Sequence, residues 1–87
     1  MIGPFADIAE THISTVFFAG DRAYKLLKPV EMPFLDHRDA EQRLRSATRE
    51  FELNKAIAPD VYLGTADIVE DGSVVDRMLV MKRLAHR

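Results

Sequence analysis

Residues Thr15-Val16-Phe17-Phe18-Ala19-Gly20-Asp21-Arg22-Ala23-Tyr24-Lys25-Leu26-Leu27-Lys28 decide the fold. The run Thr15 to Ala19 is rich in β-branched and aromatic side chains, which suit a pleated, half-buried strand. Gly20-Asp21 interrupts it with a turn signal, and Ala23 to Lys28 reads as the returning strand. A tight loop between two such runs predicts a β-hairpin. Upstream, Ile8 to Glu10 reads as a short preceding strand, joined to the hairpin through Thr11 to Ser14.

Downstream, Pro29 and Pro33 forbid regular pairing, so Val30 to Asp36 is expected to cross as an irregular loop. From Asp39 to Ala58 the pattern turns helical, with Asp39 as N-cap and Pro59 as the stop. Leu44, Ala47, Phe51 and Ala58 recur at helical spacing and form one apolar stripe, which Leu53 and Ile57 widen to one side. Val61-Tyr62-Leu63 leads into Gly64. Ala66 to Val69 and then Val74-Val75 with Met78 to Met81 read as two strands around the turn signal Asp71-Gly72. The fold class is therefore α+β: an antiparallel sheet of about five strands with one main helix packed on it.

The chain has 87 residues, enough for one domain (residues 1–87) and too few for two. A domain of this size buries only about 60% of its unfolded surface, so its core is thin. Hydrophobic residues at 47% and charged residues at 30% make a globular composition. Without cysteine there is no disulfide framework and no thiolate metal site or nucleophile. No apolar run is long enough to span a membrane, and Met1 to Glu10 lacks the pattern of a secretory signal. A cytoplasmic protein is expected. The net charge of −2 argues against a nucleic-acid partner.

Two side chains stand out. In strand geometry Ala23, Lys25 and Leu27 share one face, while Tyr24, Leu26 and Lys28 share the other. A lysine between alanine and leucine either sits partly buried, where its ammonium needs an anionic partner, or snorkels to the edge of the sheet. Glu50, with Asn54 one turn on, falls inside the widened apolar arc of the helix. None of its helical neighbours is a cation, since Ser46, Ala47, Leu53 and Asn54 occupy the i±3 and i±4 positions. It either faces the sheet, which costs free energy unless it is paired, or reaches water from the edge of the stripe. A strand lysine followed 25 residues later by a helix glutamate is also the order of the ion pair of kinase-like phosphotransferases, in which the lysine holds nucleotide phosphates and the glutamate orients it.

The strings Glu10-Thr11-His12-Ile13-Ser14, Val16 to Leu26 and Lys28-Pro29-Val30 resemble the start of an aminoglycoside-phosphotransferase-like family of bacterial proteins. Pro33-Phe34-Leu35-Asp36, Leu53-Asn54 and Ala58-Pro59-Asp60-Val61-Tyr62-Leu63-Gly64 continue the likeness in order. It covers Ile8 to Leu84. In that family a P-loop ATPase domain often follows the kinase-like part. The resemblance implies a kinase-like N-terminal lobe that covers ATP, with Lys25 as the phosphate lysine and Glu50 as its partner. It implies small Ala23 where adenine lies, Thr11 to Ser14 in place of a Gly-rich phosphate loop with the Ser14 N–H and hydroxyl as donors, and Met81 to Leu84, including Arg83, leading into the adenine-binding hinge. Lys28 is the rival of Lys25. Glu52 is the rival of Glu50, but it points away from the stripe and has Arg49 and Lys55 at helical pairing distance.

The resemblance also implies what is missing. Phosphoryl transfer requires a catalytic aspartate with a downstream asparagine and a second aspartate holding Mg²⁺. Those belong to a C-terminal lobe, and no such run occurs before Arg87. The expectation is a lobe with no catalytic residue of its own, inactive alone. It would bind nucleotide weakly and present an apolar face to a second lobe or to another copy of itself. A non-enzymatic interaction or dimerisation module is the alternative reading. The phosphoryl acceptor stays open.

Other candidates have plainer readings. His12, His37 and His86 lack metal-ligand spacing, so no metal site is expected. Asp36 and Asp39 suit turn and cap positions. Arg43, Arg45 and Arg49 form a basic, solvated helix face, with Glu41 reaching Arg45 and Arg49 reaching Glu52. Met78 and Met81 suit strand core.

Overall fold

The computed structural model describes residues 6–33 and 36–83. Five strands and one helix follow in the order β1 (Ala6–Glu10), β2 (Ser14–Ala19), β3 (Arg22–Leu27), α1 (Ala40–Ile57), β4 (Tyr62–Glu70) and β5 (Ser73–Lys82). The strands form one antiparallel sheet in the order β1-β2-β3-β5-β4. The chain is therefore an α+β domain of five antiparallel strands with a single helix packed on them.

Both tight turns follow from their glycines. Ala19 pairs with Arg22 around Gly20, whose φ of 60° supplies the left-handed conformation the turn needs. At the β4–β5 turn Glu70 pairs with Ser73, and both Asp71 (φ 51°) and Gly72 (φ 79°) are left-handed, as in a type I′ turn. Between Pro29 and Asp39 no described residue joins a regular strand, and an isolated bridge pairs Glu31 with Asp36. Phe34 and Leu35 lie outside the described residues, as do Met1 to Phe5 and Leu84 to Arg87.

Asp39 caps the helix, its carboxylate accepting from the Glu41 N–H at 3.1 Å. The helix lies chiefly over β5 and β4 and touches β3 least. Leu27, Ala47 and Leu79 form the buried centre, with Phe51 and Tyr62 packed against it. Fully buried Ala47 faces the sheet, where a small side chain permits close approach. The Leu53 and Ile57 flank does not join this core. Leu53 is 55% exposed and Ile57 81%. The periodicity widened the apolar arc to include them, but with the axis displaced toward β5 and β4 that flank overhangs solvent.

Candidate functional site

The faces read from β3 are the observed ones. Ala23 and Leu27 are buried beneath the helix layer and Lys25 between them is half-buried. From α1, Glu50 comes down to meet it: Lys25 Nζ donates to Glu50 Oε2 at 2.7 Å, and both side chains are about a quarter exposed. Neither half-buried charge has another ionic partner among the described residues, so each offsets the desolvation of the other. Lys28 points to the other face and pairs with Glu10 of β1 at 2.7 Å. Glu52 is exposed and makes no ion pair with Arg49 or Lys55. Lys55 donates to the Pro59 carbonyl instead.

Two clefts open on the helix-covered side of the sheet. One, of about 310 Å³, is lined by Val16, Phe18, Ala23, Tyr62, Met81 and Arg83 among others. Val16 sits directly opposite Lys25, and Met81 directly opposite Ala23. The second, also about 310 Å³, has Lys25 and Glu50 in its wall, with Ile13, Leu27, Leu53 and Asn54. Lys25 is thus one residue along its face from an apolar depression and itself lines the neighbouring cleft.

Three of the expected site residues also have structural partners of their own. The Ser14 N–H donates to Thr11 Oγ1 at 3.0 Å and its hydroxyl lies 3.1 Å from the same oxygen, with Ser14 buried. The hydroxyl of Thr11 closes this turn and accepts the Ser14 N–H, so that backbone donor is already engaged. The Arg83 N–H donates to the Asp21 carbonyl at 2.8 Å, and its guanidinium lies over the Phe18 ring, 5.0 Å from the centroid. Met81 is held between β3 and β4 in the sheet. Met81 and Arg83 therefore contribute walls to the depression, and the Arg83 backbone donor is not free. Leu84 lies outside the described residues.

Sequence reasoning missed a second polar cluster. Arg43 turns out of the supposed solvated face: its Nε lies 3.2 Å from Asp76 of β5, and its Nη1 donates to the His37 carbonyl at 2.7 Å. Arg45 reaches Gln42 rather than Glu41. Arg77 of β5 donates to Thr48 of the helix at 2.8 Å and to the Asp67 carboxylate. His37 is buried, its Nε2 is 2.8 Å from Ser46 Oγ, and its Nδ1 is buried without a partner. No sequence signal marked these contacts: simple pairing around the Asp71-Gly72 turn would set Asp67 opposite Asp76 rather than Arg77. Among the described residues no group of three or more His, Asp or Glu could hold a metal, and no helix is long and apolar enough to cross a membrane.

Comparison with known proteins gives relatives rather than a function. The chain is 48% identical over 81 residues to uncharacterized proteins of Mycobacterium tuberculosis (Rv2004c) and Mycobacterium bovis (Mb2027c). The match takes in 92% of this chain and 16% of each relative. The chain thus spans about a sixth of the length of the curated relatives it matches. No family model and no solved structure matches it. The Lys25–Glu50 pair and the apolar depression beside it are consequently read from their own chemistry.

Proposed function

We propose that this domain is the nucleotide-covering N-terminal lobe of an ATP-dependent, kinase-like phosphotransferase of the aminoglycoside-phosphotransferase-like type. The observation that carries this reading is the 2.7 Å contact between Lys25 and Glu50 beside an apolar depression. A lysine held by a helix carboxylate presents a fixed ammonium to phosphate oxygens. Ala23 has no side chain beyond Cβ, and with Val16 and Met81 it leaves a recess suited to a flat base. ATP fits these residues: the base against Ala23, Val16 and Met81, the phosphates toward Lys25. When bound, ATP would supply the phosphoryl group. The Ser14 N–H serves the turn, and Arg83 lines the recess.

No residue of this chain takes a catalytic role in this reading. The aspartates for Mg²⁺ and for the acceptor belong to a second lobe, and the acceptor is unassigned. The relatives have ample length for such a lobe. Exposed Ile13, Leu53 and Ile57 are apolar and suit a surface covered by a second lobe or a second copy. That same surface favours the alternative reading, a non-enzymatic interaction or dimerisation module. A cytoplasmic location, where nucleotide is plentiful, accompanies the enzymatic reading. Nucleotide-induced amide shift mapping tests it. Shifts centred on Val16, Ala23, Lys25 and Met81 support it, and shifts absent there at millimolar MgATP overturn it.

A further inference from the structure

The Lys25–Glu50 contact depends on how the helix is rotated over the sheet. At about 100° per residue, Ala47 and Phe51 centre the buried stripe, Arg43 and Glu50 lie on one flank, and Thr48 lies on the other. Arg43 and Glu50 are seven residues apart, two turns along the same flank, about 10 Å along the axis. Each flank is tied to the sheet by a polar contact. Arg43 joins Asp76 of β5, with side-chain exposures of only 12% and 16%, and it also donates to the His37 and Arg38 carbonyls of the crossing loop. Thr48, on the other flank, accepts from Arg77 of β5, which Asp67 holds in turn.

We infer that Arg43, Asp76 and Thr48 are positioning residues that set the rotation of α1 and so deliver Glu50 to Lys25. Rolling the helix one way separates Thr48 from Arg77. Rolling it the other way separates Arg43 from Asp76, leaving two little-exposed charges unpaired. Among the described residues from Pro29 to Asp39 no regular strand fixes the helix, and Arg43, through its carbonyl contacts, and His37, through Ser46, tie the two together. Beyond Glu50 no helix side chain makes a polar contact to the sheet among the described residues, and Leu53 and Ile57 are exposed. Phe51 packs on the core and the Ala58 carbonyl accepts from Val61 and Tyr62, which fix how close the helix lies, while the flanking polar contacts before Glu50 fix its rotation. The functional importance of the Lys25–Glu50 pair rests on the proposed nucleotide reading, whereas the pair and its positioning do not.

The test is the acylation rate of Lys25 in the whole chain without nucleotide, followed by mass spectrometry. Lys28, equally half-buried and paired with Glu10, serves as an internal reference. Glu50→Gln sets the rate for a released Lys25. Arg43→Ala, Asp76→Asn and Thr48→Val are each expected to raise Lys25 acylation several-fold toward that rate with Lys28 unchanged, and Arg43→Lys to restore most of the protection. If Arg43→Ala fails to fold, the near-isosteric Asp76→Asn and Thr48→Val decide. An unchanged Lys25 rate in these folded variants overturns the inference. So does an equal rise at Lys25, Lys28 and Lys55, which would mark the contacts as serving stability alone. Because nucleotide is absent, either outcome leaves the nucleotide reading to its own test.

Discussion

Arg77 donates to both carboxylate oxygens of Asp67 across the β4–β5 hairpin, at 3.1 Å for Nη2 to Oδ2. The arginine holds the Asp67 carboxyl below its usual value of 3.8. Arg38, by donating to Asp36 through its guanidinium and its backbone N–H, likewise holds that carboxyl down at about 2. A carboxyl whose folded value lies below its unfolded value contributes stability that is complete above the unfolded value. That contribution is lost as the pH falls through the folded one.

Acid titration separates these contributions. Wild type should lose stability as the pH drops from about 5 toward about 2, and Asp67→Asn should lose less over that interval. Urea unfolding at both pH values checks this. Identical pH dependence in the two proteins would remove Asp67 from the acid response.

Leu79 is fully buried at the centre of a thin core, under Ala47 and beside Leu27. Leu79→Ala should cost about 2–5 kcal/mol. Against a total stability of about 5–15 kcal/mol, that moves the urea midpoint sharply downward. A shift equivalent to less than about 1 kcal/mol would mean that the core collapses around the missing side chain.

The hairpin residues were legible because their signals are local. Gly20-Asp21 and Asp71-Gly72 each demand a left-handed turn, and alternation on β3 placed Lys25 between two buried residues. Glu50 was legible as a carboxylate within reach of the sheet, though its pairing needed the third dimension. The register shift in the β4–β5 ladder between Ile68 and Val69 was not legible. Glu70 pairs with Ser73 and Val69 with Val74, but Ile68 then pairs with Asp76, leaving Val75 out of the ladder. Unbulged pairing would set Asp67 opposite Asp76, two like charges. The bulge sets Arg77 there instead and frees Asp76 for Arg43. Arg43 read as solvated because helical spacing says nothing about a strand end 33 residues away. Leu53 and Ile57 read as core because periodicity gives the direction of a side chain but not the overhang of a helix.

Ala23 tests the base recess independently of charge. It is buried at the wall of an open depression of about 310 Å³, so Ala23→Val should narrow that space at a stability cost of about 1–3 kcal/mol, read as a lowered thermal midpoint. MgATP affinity of the folded variant should fall by about tenfold or more. Full binding by a folded Ala23→Val variant would locate the base elsewhere.

The most direct measurement is MgATP binding by wild type, Lys25→Met and Lys28→Met, each first checked for its fold by circular dichroism. Removing a charge-assisted phosphate contact costs about 1.5–3 kcal/mol. The expected result is saturable binding by wild type, at least a tenfold loss in Lys25→Met, and little change in Lys28→Met. Equal affinity in wild type and Lys25→Met would contradict the assignment of Lys25 as the phosphate-holding residue.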